Sequence, residues 1–145
     1  MTSGFLLDTN VISEFVRLDQ SPEPRVERWL DSLDRYQIYT SVLVCGEIQK
    51  GIEQLGPGKR RSQLERWLER DLNQWLGPRI LAVDSTVCIC WGRLTIAARN
   101  RGIQVPVIDG LLVATAIHHR LAVATRNSRH FADLGAEVFN PWLAP

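Results

Sequence analysis

Asp8, Glu47 and Asp109, with Asn127 beside them, are the residues whose types and settings point to chemistry. Asp8 directly follows the apolar run Phe5-Leu6-Leu7 and precedes Thr9 and Asn10. A carboxylate there can cap the helix that follows or hold a cation. At about 100° per residue, Glu47 falls between Leu43, Val44 and Gly51 on a helix surface, largely on its apolar stripe. An ionised glutamate there is costly unless paired or bound to a cation; the alternative is a stripe-edge side chain reaching out to water. Asp109 sits in a first helical turn, where the helix dipole favours an acid. The dipole does not explain why Leu112, Val113, Ala116 and Ile117 continue its face. Three carboxylates brought to one point repel one another without a divalent cation. Mg²⁺ is usually held by one or two carboxylates plus waters and substrate phosphates. Such a site activates water and stabilises charge on a phosphodiester. No serine, cysteine or histidine nucleophile cluster competes, and no glycine-rich nucleotide loop is present.

The elements that must position these residues follow from periodicity and punctuation. Phe5–Leu7 reads as a buried strand, and Val11, Ile12, Phe15 and Val16 as one face of a helix. A second helix runs over Arg25–Leu33, entered through Pro22 and Pro24. Ile38–Tyr39 is a short strand, and Ser41 caps a helix to about Leu55, stopped by Gly56-Pro57-Gly58. Lys59–Leu76 reads as one long amphipathic helix with Leu64, Trp67, Leu68, Leu72, Trp75 and Leu76 on its apolar face. A strand over Arg79–Val83 and a helix over Ser85–Arg101, ended by Gly102, come next. Pro106 opens another helix through His118. Leu121–Ala124 is a strand, a further helix follows it, and Val138–Phe139 is the last strand. This alternation, without tight hairpins, predicts a three-layer α/β fold with a mainly parallel five-stranded sheet. Ligands of such sheets sit beyond the carboxyl ends of the strands, where Asp8 and Asn127 fall. Asn127 faces Asp8 if their strands are neighbours at the point where the strand order reverses.

Composition limits the alternatives. The chain has 145 residues, 45% hydrophobic and 23% charged, as expected for one ordinary domain over 1–145 rather than a disordered chain. No apolar run approaches the roughly 20 residues of a membrane span. The start Met1-Thr2-Ser3-Gly4 lacks a basic secretory leader, so a cytoplasmic location without membrane association is expected. Cys45, Cys88 and Cys90 fit no common zinc spacing and read as buried, reduced thiols. His118, His119 and His130 form no ligand pattern with them. The net charge of +1 is not a nucleic-acid signature by itself. Acids gathered into one site nevertheless leave the remaining surface more basic than the total.

Leu6-Leu7-Asp8-Thr9-Asn10-Val11-Ile12-Ser13-Glu14 resembles the opening of PIN-domain toxins of the VapC type. Val44-Cys45-Gly46-Glu47-Ile48, with Gly51-Ile52, resembles their second motif, and Ile108-Asp109-Gly110-Leu111-Leu112-Val113-Ala114-Thr115-Ala116 their third. Ala124-Thr125-Arg126-Asn127, followed by Phe131, resembles the fourth. Val138-Phe139-Asn140-Pro141-Trp142 is similar to the ending of the FitB-like subgroup. The resemblance implies a PIN α/β/α sandwich and Mg²⁺ or Mn²⁺ bound by Asp8, Glu47 and Asp109. It also implies endoribonuclease activity, homodimerisation, and inhibition by an antitoxin whose DNA-binding domain carries the complex to operator DNA. The fourth motif often carries an acid where this chain has Asn127, or three positions later, where it has His130. Asn127 brings hydrogen-bonding capacity without charge.

Arg17, Lys50, Arg126 and Arg129 lie near the motifs and are candidates for RNA phosphates as well as ordinary surface charges. Single-stranded or loop RNA is the expected target type, because its bases are exposed. Trp67 and Trp75, on one helix, are core residues or the lining of a partner groove. Two rival readings stand beside the nuclease. One is a weakly or non-catalytic partner acting within a DNA-binding toxin–antitoxin complex, motivated by Asn127 and His130. The other is a phosphatase-like hydrolase with Asp8 as nucleophile, disfavoured because Asn10 stands where such enzymes generally place a second aspartate.

Overall fold

In the computed structural model, which describes residues 2–16 and 20–145, five strands form one wholly parallel sheet. These are β1 (Gly4–Leu7), β2 (Ile38–Ser41), β3 (Ile80–Leu81), β4 (Leu121–Ala124) and β5 (Val138–Phe139), in the order β3-β2-β1-β4-β5. Helices α1 (Thr9–Val16) and α2 (Pro24–Asp31) connect β1 to β2. Helices α3 (Val42–Glu53), α4 (Lys59–Arg66) and α5 (Leu72–Leu76) lead on to β3. Helices α6 (Ser85–Asn100) and α7 (Val107–His119) return the chain to β4, and α8 (Ser128–Asp133) precedes β5. The helices flank the sheet in the expected α/β/α layering.

The reason is visible in the strands. β4 is buried throughout, as are Leu6 and Leu7 of β1, because a parallel sheet covered on both faces has no solvated side. Phe5 meets Trp29 of α2 edge-on at 5.0 Å, and Trp29 stacks on Phe139 of β5 at 5.0 Å. Gly4 is the strand position that tolerates no side chain: a Cβ there would lie 2.6 Å from the Gln37 carbonyl oxygen. Its absence lets β1 enter close beside β2.

Three expectations need correction. The Lys59–Leu76 helix is interrupted by a π turn at Trp67–Asp71 between α4 and α5. The wider turn breaks the 3.6-residue period, so Leu72 and Leu76 are buried while Trp67, Leu68 and Trp75 are only partly so. The Arg79–Val83 strand shrinks to Ile80–Leu81, because a 3₁₀ turn occupies Gly77–Arg79. The cysteines are free, but Cys88 is exposed and Cys45 and Cys90 are half-buried. Burial pushes the Cys45 thiol above its ordinary value, which disfavours the thiolate.

Candidate active site

Strand order reverses between β1 and β4, and the backbone there places Asp8 and Thr125 side by side. The Asp8 N–H donates to the Ala124 carbonyl at 3.0 Å, and the Thr125 N–H to the Phe139 carbonyl at 2.9 Å. Asp8 also starts α1: its carbonyl accepts the Val11 and Ile12 N–H groups. Both of its carboxylate oxygens are held as well. Oδ1 accepts the Thr9 N–H at 2.7 Å, and Oδ2 accepts the Thr125 hydroxyl at 2.8 Å. Burial pushes the Asp8 carboxyl above its ordinary value; the Thr125 and Thr9 bonds oppose this, and the Asp109 and Glu47 charges add to it.

Glu47 comes from α3. The Ser41 hydroxyl accepts the Leu43 N–H at 3.0 Å and fixes the start of that helix. Val44, Ile48 and Ile52 are buried and set its rotation, leaving Glu47 half-buried at the edge of the apolar stripe. Gly51 is exposed, with open space around it, so it is not needed to make room for Glu47. Asp109 comes from α7, where Gly110 packs so tightly on Val105 and Trp91 that a Cβ would lie 2.7 Å from Val105. That contact holds the first turn of α7 in place. His130 of α8 places Nε2 2.8 Å from Asp109 Oδ2, a contact across 21 residues.

Asp8, Glu47, Asp109, Asn127 and His130 all line one open cleft of about 520 Å³. Among the described residues, no three acids, histidines or cysteines converge closely enough to ligate one ion. The acids therefore share a cleft without forming a closed cage. Asn127 is exposed, begins α8, and makes no capping bond with its side chain. It lines the cleft. Of the expected cations, Arg126 lines the cleft. Lys50 and Arg129 are exposed outside its lining, and Arg17 lies outside the described residues.

The family model described as the PIN domain matches residues 5–137. The chain belongs to the PIN-domain family. Toxin FitB of Neisseria gonorrhoeae is 38% identical to it over 94% of this chain and 97% of its own length. The VapC ribonuclease Y4jK of Sinorhizobium fredii is 32% identical over 94% of this chain and 96% of its own. The solved structure of FitAB bound to an IR36 DNA fragment superposes with a TM-score of 0.86 at 35% identity, covering 97% of each chain. All four polar positions singled out in the sequence fall within the PIN match.

Several residues in or beneath this PIN cleft were not singled out from the sequence. Thr125 is fully buried, and its hydroxyl also accepts the Asn127 N–H at 3.0 Å and the Asn10 amide at 3.4 Å. Asn10 in turn accepts the Arg126 N–H at 3.3 Å. A threonine just past a strand looks like a turn residue, and nothing local marks it as the partner of Asp8. Glu14 is buried, lines the cleft and accepts the Glu23 N–H at 3.0 Å. A signal for it existed: Asn10, Ser13 and Glu14 have the spacing of one helical face. All three line the cleft.

Proposed function

We propose that this chain is a metal-dependent endoribonuclease and the toxin of a type II toxin–antitoxin pair, with one PIN domain spanning 1–145. The observation that carries this reading is the gathering of Asp8, Glu47 and Asp109 on one cleft at the reversal of the sheet. The donor set is made of carboxylate oxygens, which suit Mg²⁺ and Mn²⁺. The raised Asp8 carboxyl marks a site where a cation would relieve burial and repulsion. An open arrangement suits an ion that keeps waters and takes substrate phosphate oxygens. A metal held between Asp8, Asp109 and Glu47, in part through its own waters, would supply an activated water and charge stabilisation for phosphodiester hydrolysis.

The chain's own residues do the positioning. Thr125 fixes the Asp8 rotamer through a charge-assisted bond. His130 holds one Asp109 oxygen. Asn127, uncharged, orients water or a phosphate oxygen at the cleft's edge. The family resemblance of the chain to a named toxin and a named ribonuclease supports this activity. The partner is an antitoxin that brings the complex to operator DNA; the DNA-bound FitAB structure supports that arrangement. We assign the antitoxin to the groove lined by Phe15, Leu30, Ile38, Trp67 and Trp75 together with Asp31 and Asp71, which shares no lining residue with the cleft. A homodimer would use α6, where Ile89 and Ile96 stand exposed a heptad apart. No helix among the described residues is long and apolar enough to cross a membrane, in keeping with action in the cytoplasm.

The His130–Asp109 contact favours a second reading, in which an engaged Asp109 leaves the chain weakly catalytic and acting chiefly within the DNA-bound complex. Expression of the chain alone in a bacterial host separates the two. The nuclease reading expects growth arrest with RNA fragmentation, relieved by Asp8→Asn and by co-expression of the antitoxin. Arrest unchanged in Asp8→Asn contradicts it.

A further inference from the structure

The cleft has a wall that the carboxylates do not use. Arg126 follows β4, is exposed and lines the cleft; its guanidinium lies over the Trp142 ring, 5.1 Å from the centroid. No carboxylate pairs with it among the described residues, so its charge is not neutralised by the protein. Both partners are held in place by backbone bonds. The Arg126 N–H donates to Asn10, whose amide reaches Thr125, the threonine bonded to Asp8. The Trp142 N–H donates to Asn140 Oδ1 at 2.9 Å, and its carbonyl accepts from Arg25 Nη1 at 3.2 Å. Trp142 belongs to a 3₁₀ turn, Pro141–Leu143, with Pro141 buried as its anchor.

A guanidinium within cation–π reach of an indole is a flat, cationic group held from one side. Arginine planes and aromatic rings are the surfaces on which unpaired RNA bases stack. A lysine there would offer charge without the plane. From this geometry we infer that Arg126, backed by Trp142, is a stacking platform for one unpaired nucleobase beside the scissile phosphate. The inference rests on the ribonuclease reading and adds the substrate feature it recognises: a single-stranded segment whose base stacks on the Arg126 face while its backbone passes Asp8 and Asp109. Double-stranded RNA keeps its bases stacked within the helix and cannot supply that base.

The test is equilibrium binding, in chelator so that no cleavage intervenes, of two short single-stranded oligoribonucleotides of equal length. One carries bases and the other is abasic throughout. The parent protein binds the base-bearing strand about tenfold more tightly. Arg126→Lys retains affinity for the abasic strand and loses most of the preference for bases. Trp142→Leu, which keeps apolar bulk without a ring, loses the preference as well, whereas Trp142→Phe keeps it. Thermal melts of the three variants identify any loss caused by unfolding, and Arg126→Lys, exposed at its site, decides the matter should the Trp142 variants fail to fold. Equal binding of the two strands by the parent overturns the platform and leaves the ribonuclease reading standing. So does a base preference unchanged in Arg126→Lys. Failure of the parent to bind either strand removes the platform and counts against the ribonuclease reading too.

Discussion

Thr125→Val replaces a fully buried hydroxyl with a methyl group of nearly the same volume, so it removes hydrogen bonds without opening a cavity. The hydroxyl donates at 2.8 Å to the Asp8 carboxylate. A hydrogen bond to a charged group contributes about 1.5–3 kcal/mol, and one between neutral groups about 0.5–1.5 kcal/mol. The Asn127 N–H also loses its acceptor, but it lies at an exposed residue that water can reach. The expected loss near pH 7 in the metal-free protein is therefore about 2–3 kcal/mol. Its pH dependence identifies the cause. The folded Asp8 carboxyl lies above its ordinary 3.8, because burial outweighs the Thr125 and Thr9 bonds. Ionising it thus costs the folded state stability as pH rises from that ordinary value through the folded one. Removing the hydroxyl raises the folded value further. The variant's extra deficit is then absent while Asp8 stays protonated in both folded proteins, and it grows as pH rises from the parent's folded value to the variant's higher one. Urea unfolding in chelator, near pH 7 and at the lowest pH that keeps the fold, measures the two losses. The low-pH loss should be about 1 kcal/mol smaller, and Thr125→Ser should recover most of both. Equal losses at the two pH values, or a serine variant as unstable as the valine one, would refute the bond's role in holding the Asp8 charge.

Glu47→Gln should raise the thermal midpoint of the metal-free protein near neutral pH by relieving repulsion on Asp8, and should shrink the stabilisation by Mg²⁺; equal Mg²⁺ responses in melts of parent and variant contradict a place for Glu47 in the metal shell. Asn127→Asp adds a charge to the cleft, so calorimetric titration should show several-fold tighter Mn²⁺ binding, and an unchanged dissociation constant removes Asn127 from the site. Gly4→Ala drives a Cβ to 2.6 Å from the Gln37 carbonyl and should cost about 1–3 kcal/mol in denaturant unfolding; a neutral result would mean that β1 and β2 separate freely at that end.

Much of the fold was legible because apolar runs and punctuation are local. Leu121–Ala124 and Val138–Phe139 begin and end where the sequence places them, since four or fewer apolar residues between turn signals leave little choice. Ser41 was legible as a cap because capping chemistry is settled within three residues. The π turn at Trp67–Asp71 was not, because the pattern on either side is compatible with an unbroken helix. Glu47 and Asp109 stood out as acids on apolar helix faces and Asp8 as an acid just past a buried strand, and all three line one cleft. Thr125 and His130 were not, because their meaning lies in contacts with Asp8, 117 residues away, and Asp109, 21 residues away. Arg126 stood out only as a charge; the Trp142 ring beneath it is a fact of tertiary structure.

RNA cleavage by this chain should require a divalent ion held by Asp8 and Asp109. Chelator-treated protein, incubated with a structured RNA while Mn²⁺ is added back, tests it most directly when the parent is run beside Asp8→Asn and Asp109→Asn. Cleavage by the parent should be absent in chelator and return with Mn²⁺. Either variant should cleave at least a hundredfold less, with unfolding curves showing all three folded. Cleavage that persists in chelator, or that is unchanged in Asp8→Asn, would contradict it.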